Sequence, residues 1–150
     1  MESLFFEIFN SLPRQGPGTT EATQKAFRTI LKLQSIHRIL DIGCGTGAQT
    51  LDLGRITDAR ILALDNHFQF IKNLQNHARN MGPSEKIKGV VGDMFSLSFI
   101  NQKFNLIWSE GAIYIIGFNR GLKEWRDLLR PFGYMAVTEV IWIKKILRRR

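Results

Sequence analysis

A three-layer α/β fold, a parallel sheet covered by helices on both faces, is predicted by three features of this sequence. Short apolar runs of strand length alternate with longer segments whose apolar residues recur at helical spacing. Four of the runs end in an acidic or small polar residue. The first is followed by a turn of alternating glycines, Gly43-Cys44-Gly45-Thr46-Gly47. Strands joined by helices at this spacing pair in parallel through right-handed crossovers, and the sheet is then covered on both sides.

The elements follow in order. Residues 2–9, with Leu4, Phe5, Phe6, Ile8 and Phe9, read as a short apolar helix. Leu12-Pro13-Arg14-Gln15-Gly16-Pro17-Gly18 is a loop by its proline and glycine content. A helix begins at Thr19 or Thr20, with threonine as cap, Glu21 in the first turn and Ala22, Ala26, Phe27, Ile30 and Leu31 as its apolar face. Residues 38–42 form the first strand and 46–55 the helix after it. Residues 60–64 form the second strand, ending at Asp65, and Asn66 is placed to cap a helix carrying Phe68, Ile71, Leu74, Gln75 and Ala78. Met81-Gly82-Pro83 stops that helix. Residues 86–91 are the third strand and 104–108 the fourth. A helix with Phe118, Leu122, Trp125, Leu128 and Leu129 on one face ends at Arg130-Pro131-Phe132-Gly133, and residues 134–142 are the fifth strand.

Length and composition narrow the function. A chain of 150 residues makes one domain with a real core. One cysteine excludes an internal disulfide, and three scattered histidines give no zinc constellation, so no metal is expected. The N-terminus lacks the basic and apolar regions of a signal peptide, and no apolar run has membrane-spanning length, so a cytoplasmic location is expected. The net charge of +8 is concentrated in the tail, residues 144–150; without it the body carries about +3.

In such a sheet ligands bind beyond the carboxyl ends of the strands. There the sequence collects Asp41 and the glycines, Asp65, Asp93, and Ser109-Glu110-Gly111. A glycine turn between strand and helix is expected to aim backbone N–H groups at a ligand. Asp65, about 20 residues past the glycines, stands where a carboxylate accepts from both hydroxyls of a ribose. Asp93 is suited to an adenine amino group, with the Met94 amide as a donor to the ring. The spacing G-x-G-x-G departs from the G-x-G-x-x-G of dinucleotide sites, which argues against a dehydrogenase. Asp41 beside the turn would repel a pyrophosphate and favour a cationic nucleoside.

Ile39-Leu40-Asp41-Ile42-Gly43-Cys44-Gly45-Thr46-Gly47 resembles the first motif of class I S-adenosylmethionine-dependent methyltransferases. Ala63-Leu64-Asp65 resembles the family's ribose-binding position and Val91-Gly92-Asp93-Met94 its adenine-side motif. The stretch from Asn105 through Trp108-Ser109-Glu110-Gly111 to Tyr114 resembles the fourth-strand motif, and Leu129-Arg130-Pro131-Phe132-Gly133-Tyr134 the turn before strand five. The loop Leu12-Pro13-Arg14-Gln15-Gly16-Pro17-Gly18 resembles that of a small-molecule subgroup, which implies a place near the site. The resemblance implies a Rossmann-like fold, S-adenosylmethionine as cofactor and a small-molecule methyl acceptor. It implies a cofactor-binding set of Asp41, Gly43, Cys44, Gly45, Gly47, Asp65, Asn66, Asp93, Met94 and Ser109, with Asp41 orienting the ammonium and Asp65 the ribose. A general base is optional for this transfer; Glu110 is the first candidate and His67 the second. Cys44 reads as a small filler, and Trp108 and Trp125 as core.

Members of this family have seven strands, and about five are read here. The expectation is a cofactor-binding domain over residues 1–143, truncated before the closing strands, followed by a basic tail, 144–150. A fifth strand left at the sheet edge would offer a surface for a homodimer. Two other readings stand beside the enzyme: a non-catalytic binding or partner domain of the same fold, and a binder of nucleic acid or an anionic surface through the tail.

Overall fold

The computed structural model describes residues 2–97 and 103–141; of Glu2, Ser3 and Phe5 it describes the backbone alone. Helices α1 (Glu2–Ser11) and α2 (Thr20–Leu31) precede the sheet. Then come β1 (Arg38–Ile42), α3 (Ala48–Ile56), β2 (Arg60–Asp65), α4 (Phe68–Met81), β3 (Ile87–Val91) and β4 (Phe104–Ser109). Two short helices, α5 (Ile113–Ile116) and α6 (Phe118–Trp125), and a 3-10 turn (Arg126–Leu128) lead to β5 (Leu129–Val137). The strands are parallel in the order β3-β2-β1-β4-β5, the predicted α/β architecture.

The central strand β1 is buried on both faces, and its alternation sorts the core in two. Ile39 points into a cluster with Phe27 of α2, Leu53 of α3 and Leu74 of α4. Leu40 and Ile42 point the other way, onto Ile113 of α5 and Trp125 of α6. Fully burying one such side chain contributes about 1.5–3 kcal/mol, so these two layers supply most of the hydrophobic drive. Reversal of the strand order at β1, with β2 added on one side and β4 on the other, opens a crevice at the strands' carboxyl ends.

Helix ends follow the expected chemistry at two places. Thr19 caps α2, its hydroxyl accepting from the Ala22 N–H at 3.2 Å. Gly82 ends α4 in the left-handed region, φ 97°, with Pro83 behind it.

Four expectations are corrected. The buried face of α2 carries Thr23 and Phe27, whereas Ala22 and Ala26 are exposed. The rotation is set by the Thr23 hydroxyl, which finds a carboxylate, Glu110 Oε1, at 2.7 Å across the domain. Helix α3 begins at Ala48, because Gly45 and Gly47 at positive φ hold residues 45–47 out of the helix. Asn66 does not cap α4: the cap position is His67, and its N–H is bound instead by Asp65 Oδ1 at 3.0 Å. Strand β5 begins at Leu129, paired with Phe104, and resumes at Tyr134 against Leu106. Leu128 thus belongs to the 3-10 turn and Leu129 to the strand, with residues 130–133 looped out between the two pairings. The strand ends at Val137; Trp142 and the tail, 144–150, lie outside the described residues.

Among the described residues no helix is long and apolar enough to cross a membrane, and no cluster of His, Cys, Asp or Glu could hold a metal ion.

Candidate active site

A cavity of about 260 Å³ sits at the carboxyl ends of β1, β2 and β4. Residues 43–47 form one wall and continue into Ala48 and Gln49 at the start of α3. Asp65 and Asn66 line it from β2, Asp93 and Met94 from the turn after β3, and Glu110 to Ala112 from the end of β4. Phe6 and Phe9 of α1, with Gln15 and Gly16 of the α1–α2 loop, close over it. Among the described residues, the lining includes three carboxylates and no Lys, Arg or His.

The glycine turn is built for close approach. Gly43, Gly45 and Gly47 all have positive φ. A Cβ on them would collide with Ala112, Gln15 and Leu74 respectively, so no larger residue fits the turn. The expectation of amides directed at a ligand is corrected. The Gly43 and Cys44 N–H groups donate to the Leu64 carbonyl at 2.8 and 3.0 Å, and Gly47 to Cys44 at 3.0 Å. Gly45 donates to Asp65 Oδ2 at 2.9 Å and Thr46 to Gln15 Oε1 at 3.3 Å. All five donors are satisfied, as buried backbone must be, four by the turn and the end of β2 and that of Thr46 by the α1–α2 loop.

Asp65 is therefore pinned by both oxygens, to Gly45 and His67, while keeping a spare lone pair on each toward the cavity it lines. Asp93 closes its own turn, accepting from the Phe95 N–H at 2.9 Å, and Met94 lies over Gly43, its Cε 3.5 Å from where a Cβ would stand. Cys44 lines the cavity but is 2% exposed, and burial, with Asp41 and Asp65 nearby, pushes its thiol well above the usual range. It is a filler, as expected, with no nucleophilic character.

Two predicted ligands do not face the cavity. Asp41 is fully buried beneath α3, where its Oδ2 accepts from Thr50 Oγ1 at 2.6 Å and Gln49 Nε2 at 3.3 Å. Its Oδ1 has no partner, and its pKa is raised to about 7, chiefly by burial and secondarily by the charges of Glu110 and Asp65, against the hydrogen bonds from Thr50 and Gln49. Ser109 is buried too and donates to the Ile42 carbonyl at 2.9 Å, tying β4 to β1. His67, the second candidate base, stacks on Phe6 with ring centroids 4.0 Å apart and is not part of the lining.

Glu110 does line the cavity, yet its carboxylate is spoken for. Oε1 accepts from Thr23 Oγ1 at 2.7 Å and Trp108 Nε1 at 2.9 Å, and Oε2 from Arg14 at 3.1 Å. Arg14 also pairs with Asp52 Oδ2 of α3 at 2.6 Å. Three donors, one of them cationic, occupy both of its oxygens. The group anchors the α1–α2 loop to the rim. Arg14, Gln15 and Thr23 were not identified from sequence as site residues. The resemblance of residues 12–18 implied a loop near the site, but it does not specify partners more than thirty positions away.

Residues 39–133 match the family described as methyltransferase domain. The chain belongs to that family. The methyltransferase domain is 28% identical over 103 residues to the sterol 24-C-methyltransferase erg6 of Aspergillus fumigatus, covering 68% of this chain and 27% of that protein. Its fold matches YjhP from E. coli with a TM-score of 0.74 and 25% identity, over 88% of this chain and 54% of that one. It also matches a SAM-dependent methyltransferase from Geobacter sulfurreducens in complex with S-adenosyl-L-homocysteine, with a TM-score of 0.75 and 20% identity, over 89% and 54%. The chain thus spans about a quarter of the length of the curated sterol methyltransferase. Family and topology together make it a class I S-adenosylmethionine-dependent methyltransferase domain with a Rossmann-like sheet.

The site fits that cofactor on its own evidence. Asp65 retains acceptor capacity for two hydroxyls, the glycine turn leaves room at its Cα atoms, and a wall whose described residues include acids but no Lys, Arg or His suits a cation and disfavours a pyrophosphate.

Proposed function

We propose that this domain binds S-adenosylmethionine in the cavity beside Asp65 and serves methyl transfer to a small-molecule acceptor. The observation that carries the reading is Asp65, fixed by Gly45 and His67 in a wall without Lys, Arg or His among its described residues. Asp65 would hold the ribose, Asp93 and Met94 the adenine side, and Gly43 to Gly47 the amino-acid part. Bound there, the cofactor supplies a methyl group on a sulfonium that leaves without further activation. The chain's contribution is positioning: the glycine turn fixes one side and the latched α1–α2 loop the other, and orientation alone lowers such a barrier substantially.

Glu110 enters this reading as the residue that holds the loop, because its three hydrogen bonds compete with service as a base. Asp41 acts from below, holding the first turn of α3. Phe6, Phe9, Phe70, Tyr114 and Ile115 make the rest of the wall largely apolar, which supports an apolar acceptor, as does the likeness to a sterol methyltransferase. Strand β5 is an edge among the described residues and packs apolar residues on both faces, Tyr134 and Ala136 on one and Met135 and Val137 on the other. Self-association through it, and a cytoplasmic location, belong to the same proposal.

Equilibrium dialysis with S-adenosylmethionine, and with NAD as a pyrophosphate-bearing comparison, tests the cofactor reading. Retention of the first and not the second is expected. Preference for NAD would overturn it.

A further inference from the structure

Gln15 lies in the loop of residues 12–18 that the sequence marks, but its side chain has been given no role. Its Nε2 donates to the Phe9 carbonyl at 2.9 Å, and its Oε1 accepts from the Thr46 N–H at 3.3 Å. One partner is an acceptor and the other a donor, so the orientation of the carboxamide is determined. The side chain lies directly on Gly45, where a Cβ would collide with its carbonyl, and it lines the cavity. It therefore stands at the place on the turn where bare backbone is open to close approach.

The turn's five amides differ in what holds them. Four donate to the turn itself or to the end of β2: Gly43 and Cys44 to Leu64, Gly45 to Asp65 and Gly47 to Cys44, at 2.8–3.0 Å. Thr46 is held from outside, by the α1–α2 loop, at the longest distance of the five. Its N–H is the one a ligand can take without unmaking the turn. Arg14, next in sequence, is committed to Asp52 and Glu110, so the loop backbone stays anchored when the neighbouring side chain turns.

We propose that Gln15 reads the amino-acid end of the cofactor, releasing the Thr46 N–H to the carboxylate and turning its own carboxamide to that end. This rests on the cofactor reading above and adds a residue to it. A carboxamide suits the task because it both donates and accepts, serving a carboxylate or an ammonium, whereas a lysine would only donate and would bring a cation into a wall that has none among its described residues. The bond from Gln15 to Phe9 carries the same movement to α1, which roofs the cavity.

The test is a titration of the full chain with two probes, S-adenosylhomocysteine and 5′-methylthioadenosine. The second has the nucleoside and thioether but no amino-acid end. Wild type is compared with Gln15→Ala and Gln15→Glu, with thermal melts reporting the fold. Gln15→Glu should weaken S-adenosylhomocysteine about tenfold, the scale of one charged hydrogen bond, and change methylthioadenosine less than about twofold. Gln15→Ala should show the same selectivity with a smaller loss. Equal losses for both probes would make Gln15 a structural residue and overturn the inference, as would no loss for either. A wild-type chain that binds neither probe would overturn the cofactor reading itself, and this inference with it.

Discussion

The guanidinium of Arg14 lies 3.1 Å from the carboxylate of Glu110, joining a loop near the N-terminus to the end of β4 across 96 positions of sequence. The same guanidinium reaches Asp52 at 2.6 Å. All three side chains are largely buried, at 17%, 8% and 5% exposure, so Arg14 bridges two carboxylates away from water, one of which, Asp52, also pairs with the more exposed Arg55.

Removing that cation is expected to cost more than removing either acid. Arg14→Ala leaves Glu110 without a counterion and Asp52 with Arg55 alone, and should lower stability by about 3 kcal/mol in urea unfolding. Glu110→Gln keeps the shape and the acceptor for Thr23 and Trp108, and should cost about 1 kcal/mol. The double variant should lose less than the sum, because the two side chains share one interaction.

Asp41 gives stability a pH dependence with a definite sign. Its folded pKa is about 7, above the ordinary 3.8, with Glu110 and Asp65 the charges facing it and Thr50 and Gln49 opposing the shift. Below about pH 4 both states hold the proton and the contribution is complete. Between there and about pH 7 the unfolded chain releases it first, so stability falls as pH rises. Chemical denaturation across this range should show the decline in wild type and a flatter profile in Asp41→Asn.

Phe132 offers a test of backbone strain. It is the non-glycine residue at positive φ, 64°, among those described, and it is 92% exposed, so packing does not repay the conformation. Phe132→Gly should raise stability by about 0.5–1 kcal/mol in thermal unfolding, the left-handed penalty less the entropy that glycine adds to the unfolded chain. A destabilised variant would mean that the ring packs.

Much of this architecture is legible in local pattern, and the misreadings have physical reasons. The strands are readable as short apolar runs, and two of them end at a polar residue, β2 at Asp65 and β4 at Ser109. Asp41 was placed at the rim because it is acidic and precedes the glycines. Its parity with Ile39 on β1 puts it under α3 instead, one position short of the strand's end. Ala22 reads as part of the apolar face of α2, yet Thr23 is the buried residue, and its partner, Glu110, is 87 positions away. The start of β5 was missed because Pro131 and Gly133, which stop a helix, here loop out inside a strand already paired at Leu129. Gln15 and Arg14 act through partners more than thirty residues distant, which periodicity and spacing do not reveal.

Calorimetric titration of S-adenosylhomocysteine into wild type and Asp65→Ala tests the central claim, that the cavity beside the glycine turn is a nucleoside-cofactor site organised by Asp65. Wild type should bind, and Asp65→Ala should lose about 1.5–3 kcal/mol of affinity, the scale of hydrogen bonds to a charged group. Affinity unchanged by the substitution, or a wild-type chain that takes up no ligand, would contradict it.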